Sequence, residues 1–441
     1  MVRRGIFVGL VALSLTFATG GSAAIASSSG KYAPVCSHAL PAGVAGCHAI
    51  QLLDPAANWQ GSHATGPAGK PSKKPGGGGE SFPGYYPLEL QSAYGLAGAV
   101  GPSATKGGTQ TVAIVDAYND PKAEEDLGVY RSRFGLSYSS SLEATLAEQA
   151  CTEANGCFAK VNQKGEKANY PSGNTSWSEE ISLDLDMVSA VCPHCHILLV
   201  EANSNTFANL GAAVNEAVAL GANAISNSYG GSEFSEETKA DAYYDHPGVA
   251  VTASSGDGGY GVEYPAASPF VTAVGGTTLK GSIANGWSQT VWSGSGAGCS
   301  ALEPNPGWQP VTSLCSRRTV ADTSADANPN TGVAVYDNYE EPGWLVFGGT
   351  SVASPIVASV YALAENASTF TSANAAQALY GDASLIPIKE GTDLSPRRCG
   401  VDYLCSANYS LEEWTDALAA KVTGWYNGPT GNGTPEGVTG F

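Results

Sequence analysis

The alternation of short β-branched runs with helical patterns most constrains this chain. TVAIVDAY (Thr111 to Tyr118), HILLVEAN (His196 to Asn203), NAISNSYG (Asn223 to Gly230), GVAVTASSG (Gly248 to Gly256) and FVTAVGGT (Phe270 to Thr277) each close on or near Gly, Asn or Asp. Between several of them lie segments such as FANLGAAVNEAVALG (Phe207 to Gly221), whose apolar residues recur at three and four. Such strands cannot bury both faces without helices packed on each side. The pattern predicts an α/β fold with a doubly wound, mostly parallel sheet and helices on both faces. Functional residues are then expected at the C-terminal ends of the strands.

The chain has 441 residues, enough for one large domain plus processed ends. Residues 1–26 carry Arg3 and Arg4, a short apolar stretch and the small-residue site Ala24-Ile25-Ala26, which predicts a secretory signal peptide and an extracellular destination. No later run has the length and apolarity of a membrane span, so no membrane association is expected. Residues 27–81 are poor in apolar periodicity and end in GPAGKPSKKPGGGG, which reads as a short propeptide or flexible linker. The main domain is expected over 82–441. Acidic residues outnumber basic ones by 40 to 21 and the basic ones are scattered, which argues against nucleic acid as a partner. The 10 cysteines fall in close pairs, 36/47, 151/157, 192/195, 299/315 and 399/405, and in an exported protein they predict local disulfides. The run Cys192-Pro-His-Cys195-His also invites zinc, but no second CxxC or HxxxH completes a ligand set.

Three peptides hold candidate chemistry. In GGTSVASP, Ser351 sits where a glycine turn enters an apolar run, VASPIVASVYALA, that can continue as a buried helix. Backbone N–H groups and the positive dipole end suit a developing oxyanion there; the alternative is a plain N-cap serine. In SWSEEISLDLD, Glu180 and Asp184 are four residues apart and so lie within about 40° of each other on a helix, beside Trp177, Ile181 and Val188. Two carboxylates on an apolar face are costly unless they share a proton or have work to do. Glu179 and Asp186 fall elsewhere around the helix and read as solvated or capping charges. An acidic first turn complementing the dipole accounts for Glu180 but poorly for Asp184. In SSGDGGYG, Asp257 follows a strand in a glycine-rich turn, which is also what an ordinary Asp-Gly turn looks like. There is no GxSxG, HEXXH or DTG/DSG pair, and none of His194, His196 and His246 lies in an HG-type turn, so a base for Ser351 is not expected to be histidine.

Together these motifs resemble the sedolisin family, the serine-carboxyl peptidases, whose fold is subtilisin-like. ExxLD at Glu180 to Asp184, SGD at Ser255 to Asp257 and GGTSxxSP at Gly348 to Pro355 stand in the family's order, and the likeness extends to YYPLELQSAYGL, YPAASPFVTAVGGTTL and ADTSADANPNTGVAVYD. The resemblance implies Ser351 as nucleophile, Glu180 as general base, Asp184 as the group orienting it, and Asp257 as an oxyanion-hole acid. It further implies that Ser228, Tyr229 and Gly230 line the cleft and pair with extended peptide substrates, although an ordinary buried strand end reads the same way. A carboxyl base works in acid, where histidine is protonated, and an acid donor in the oxyanion hole must itself be protonated. The resemblance thus implies a secreted, acid-active serine-type endopeptidase acting on proteins or peptides, expected to be monomeric.

Two departures from the family bear on that reading. The leader is short and Gly/Pro-rich where a large folded prodomain is usual. At the family's calcium site Pro387 and Asn427 stand where aspartates are expected, so calcium is not expected to be required. A non-catalytic extracellular binding module on the same scaffold, and a histidine-dependent enzyme of the same fold, are the competing readings.

Overall fold

A computed structural model of the chain describes residues 31–63, 82–100, 106–139, 141, 145–309, 311–370, 375–380, 384–393, 399, 402–409 and 425–441. The signal-peptide reading and the GPAGKPSKKPGGGG run lie outside these residues.

The main sheet runs, edge to edge, through Gly286–Val291, Thr272–Ser282, Ala250–Ser254, Ala224–Asn227, Thr111–Ala117, His196–Ala202 and Phe158–Asn162, with Thr323–Asp326 alongside Thr272–Ser282. Every pairing is parallel except that of the Gly286–Val291 edge. The five runs read from the sequence are all strands of this sheet or lie at its strand ends.

Side chains that alternate along a strand supply two separate cores. Val112 and Ile114 join Ile197 and Leu199 on one face, packed with the helices Thr175–Val191 and Thr350–Ala364. Ala113 and Val115 join Leu198, Val200 and Ile225 on the other, under the helix Phe207–Ala219. The sheet is therefore covered on both sides, as parallel strands require.

The helix Thr175–Val191 lies against the serine helix Thr350–Ala364, the helices Pro87–Ala93 and Ala123–Phe134 and the strand Val333–Asp337. Asn174 caps it, its side chain accepting from Trp177 N at 3.1 Å. Because neighbours surround it, every residue from Trp177 to Val191 is buried. This corrects the expectation for Glu179 and Asp186. Neither is solvated: Asp186 Oδ2 accepts from Tyr336 N at 2.9 Å, and burial, then the charges of Glu341 and Asp337, push Glu179 up to about 8. Helical spacing does not tell how many faces are covered, and from Trp177 to Val191 this helix has no wet one.

Residues 31–63 are structured even though their apolar periodicity is weak. Tyr32–Pro34 pairs with Ile50–Leu52, which pairs with Gly343–Gly348, while Gly46–Cys47 pairs with Tyr229–Ser232. Strands of two or three residues are too short to display alternation, and they are held by extended backbone pairing together with the burial of Ala45, Cys47, Ala49, Ile50 and Leu52.

All five local cysteine pairs are disulfides, so the cysteines of Cys192-Pro-His-Cys195 are bonded to each other and are not zinc ligands. Among the described residues no helix is long and apolar enough to cross a membrane.

Candidate active site

The serine helix opens on Gly349, whose φ of 94° lies in the left-handed region that favours glycine. Ser351 is the second helical residue, so it is not the N-cap. The cap function falls to Asp257 from the turn after Ala250–Ser254: its Oδ1 accepts from Thr350 N at 2.8 Å and from Thr350 Oγ1 at 2.9 Å. Its Oδ2 is buried without a hydrogen-bond partner among the described residues. Burial, only partly offset by the charge of His48 and the two Thr350 bonds, pushes Asp257 up to about 6. With Oδ1 occupied as an acceptor, the proton belongs on Oδ2, which makes it a hydrogen-bond donor in acid.

Pro355 explains a further detail of GGTSVASP. It lacks the N–H that would bond back four residues, so the Ser351 carbonyl has no helical donor, and the Ser228 hydroxyl approaches it at 3.5 Å. The same hydroxyl donates to Asp184 Oδ1 at 2.8 Å. The Ser351 hydroxyl donates to the Ser228 carbonyl at 3.3 Å. Ser228 thus touches both the serine helix and the carboxyl helix. The fully buried Tyr229 turns its hydroxyl inward to Asn227 Oδ1, 2.7 Å away, and presents only backbone to the cleft, where it faces Cys47; Gly230 faces Gly46.

Glu180 and Asp184 are both fully buried. Glu180 Oε2 accepts from Ala49 N at 2.9 Å, while its Oε1 and Asp184 Oδ2 have no hydrogen-bond partner among the described residues. Burial holds both carboxyls well above the ordinary carboxylate range, and a third acid, Asp116, adds to it by like charge. The Ser351 hydroxyl and the Ala49 amide pull Glu180 the other way, whereas Asp184 has only the Ser228 hydroxyl to do so. Of the two carboxyls, Glu180 therefore has the larger set of hydrogen-bond donors acting on it.

Asp116 was not among the residues singled out from the sequence. It is the penultimate residue of the apolar strand Thr111–Ala117, is fully buried, and among the described residues has no hydrogen-bond partner on either oxygen. Burial, then the charge of Glu201, pushes it up to about 8, so it is neutral in acid. The one available signal was an aspartate at the C-terminal end of an otherwise apolar central strand, the position where parallel sheets place functional groups.

A second missed group is the fully buried His48. Its Nε2 lies 3.0 Å from Glu263 Oε2 and its Nδ1 lies 2.6 Å from Ser254 Oγ. His194, His196 and His246 each engage a backbone carbonyl, those of Tyr138, Gly156 and Tyr243, and have no hydrogen bond to Ser351, Glu180, Asp184 or Asp257 among the described residues.

At the loop where the resemblance implies calcium, Asn427 Oδ1 accepts from Thr430 N and Thr430 Oγ1 at 3.0 and 2.9 Å, and Asn427 Nδ2 donates to the Ile388 carbonyl at 3.2 Å. Pro387 offers no carboxylate. The residues present do not fit a hard cation, since an N–H stands where an oxygen ligand is needed.

The fold and the serine helix define the class: the chain belongs to the subtilase family, whose model matches residues 168–401, more than half of the sequence. Within that class its relatives are of the sedolisin type. It is 29% identical to kumamolisin of a Bacillus species over 63% of this chain and 51% of that protein, and 38% identical to sedolisin of a Pseudomonas species over 29% of this chain and 23% of that one. The crystal structure of Pseudomonas sedolisin, a serine-carboxyl proteinase complexed with two molecules of pseudo-iodotyrostatin, superposes with a TM-score of 0.62 at 26% identity, covering 80% of this chain and 95% of that one. The chain spans about half the length of kumamolisin and about a quarter of that of sedolisin.

Proposed function

We propose that this chain is a secreted serine-carboxyl endopeptidase that hydrolyses peptide bonds in acid through an acyl-enzyme on Ser351. The observation that carries the reading is the set of three buried carboxyls, Glu180, Asp184 and Asp116, behind a serine at a helix start, with the unpartnered Oδ2 of Asp257 beside it.

In this reading Ser351 Oγ attacks the substrate carbonyl and Glu180 takes the hydroxyl proton. Asp184 and Asp116 stay protonated and confine the negative charge to Glu180. The oxyanion is met by Oδ2–H of Asp257 and by the first-turn N–H groups of the serine helix. Glu180 then gives its proton to the leaving nitrogen, and water repeats the sequence to free the acid. Ser228, Tyr229 and Gly230 offer their backbone to the substrate, which gives affinity for extended peptides without much sequence selectivity. Export accords with five disulfides in one chain.

The test is degradation of a denatured protein at about pH 4. Ser351→Ala is expected to abolish it while leaving circular dichroism and the melting transition unchanged. Equal activity in both proteins overturns the assignment.

A further inference from the structure

Residues 44–52 run through the site just described. Gly46 and Cys47 pair antiparallel with Gly230 and Tyr229, and His48 N donates to the Ser228 carbonyl at 3.2 Å. Two residues on, Ile50 and Gln51 pair antiparallel with Gly348 and Phe347, at the entrance to the serine helix. The chain is thus held by backbone on both sides of one peptide group, the one joining His48 to Ala49.

The reactive groups converge on that peptide. Its N–H donates to Glu180 Oε2 at 2.9 Å. Its carbonyl oxygen lies so close over Gly349 that any Cβ there would collide with it, and the same Cβ would stand 2.8 Å from Asp257 Oδ2. The Ser351 hydroxyl and His48 N both donate to the Ser228 carbonyl. A base on the nitrogen, an acid near the oxygen and the nucleophile beside the preceding N–H are what a bond about to be cut requires.

The side chains are seated as well. His48 is enclosed, with Glu263 and Ser254 on its two nitrogens and His38 stacked on it at 5.8 Å. Burial alone would discharge the imidazole, but the Glu263 charge overrides it and His48 is raised; burial alone would raise Glu263, but His48 overrides it and Glu263 is lowered. Ile50 packs with Trp292 and Ala327 on the other side of the bond. Cys47 is locked to Cys36, which fixes the backbone one residue before His48.

We propose that residues 31–63 are a disulfide-braced internal substrate that plugs the cleft, and that His48–Ala49 is the bond Ser351 opens when the chain matures. The inference rests on the peptidase reading above and adds the bond, and with it a pocket that accepts histidine through Glu263 and Ser254. Ser351 Oγ bonds to the His48 carbonyl carbon as Glu180 takes its proton. Glu180 returns that proton to Ala49 N as the C–N bond breaks, leaving a His48 ester and a free Ala49 amine. One water then hydrolyses the ester, giving the His48 carboxyl and restoring the serine. Both cysteines of the brace lie before the cut, so the piece ending at His48 separates without a reductant.

The experiment follows the full chain, and its Ser351→Ala form, by intact mass and N-terminal sequencing after transfer to about pH 4, with a denatured protein added in parallel. The wild type is expected to yield a chain beginning at Ala49, at a first-order rate independent of concentration, and then to digest the added protein; Ser351→Ala stays joined. Ala49→Pro removes the N–H that Glu180 holds and is expected to leave the bond whole and digestion suppressed. Should that variant fail to fold, His48→Glu, which sets like charges together at Glu263, is expected to slow the cut by about tenfold or more. If the wild type digests added protein while His48–Ala49 stays whole, or first cuts elsewhere, the proposal is overturned and the peptidase reading stands. If it neither cuts itself nor digests anything, the peptidase reading falls too.

Discussion

Asp116→Asn isolates what a buried, unpartnered carboxyl does to this fold. In the native chain burial, then the charge of Glu201, carries Asp116 from 3.8 to about 8. The folded protein therefore holds a proton there across a window in which the unfolded chain has released it. Because the folded value is the higher one, the associated stability is full below the unfolded value and is lost as pH rises towards the folded one. One proton is worth about 1.4 kcal/mol per pH unit, so the loss is on the order of 5 kcal/mol across the window. Asparagine is neutral at every pH and close to the same shape. The expected result is a flatter pH dependence, by about one proton's worth of slope between about pH 4 and about pH 8. Urea unfolding at several pH values, with Ser351→Ala in both proteins to prevent self-digestion, reads that slope. Parallel curves for the two proteins would refute the reasoning, because they would mean that Asp116 is ionised in the folded state.

Asp257→Ala should lower kcat by about 10²–10³, the cost of losing one oxyanion donor. Wild-type activity should decline as pH rises through about 6, because the Oδ2 proton is lost there, and Asp257→Asn, which donates at any pH, should remove that limb from the pH–rate profile. Arg318 and Asp322 form a fully buried pair in which Arg318 Nη1 reaches Asp322 Oδ1 at 2.6 Å. Arg318→Met strands the aspartate and should cost about 3–5 kcal/mol in urea unfolding, whereas a surface pair would cost little. Chelator should leave the melting temperature unchanged and added calcium should not raise it, because Asn427 already ties the loop through Thr430 and Ile388.

What could be read from the sequence was what depends on local repetition. Strands buried on both faces must be apolar runs, so TVAIVDAY and HILLVEAN declared themselves and so did the parallel sheet. Glu180 and Asp184 were visible because helical spacing puts both on one face of one element. Asp116 was not, because its partners lie on a helix some 60 residues later and nothing in its own strand marks that approach. Glu179 and Asp186 were misplaced for the converse reason: a helical wheel tells which residues share a face but not how many faces are covered, and this helix is enclosed on all of them.

The leader exposes the same limit from the functional side. Its 2- and 3-residue strands are too short to carry a periodic signal, although they bury Cys47, Ile50 and Leu52 along with backbone paired to Tyr229–Ser232 and Gly343–Gly348. The want of a pattern in residues 31–63 follows from the shortness of their strands, and their order appears only once the distant partner strands Tyr229–Ser232 and Gly343–Gly348 are in place.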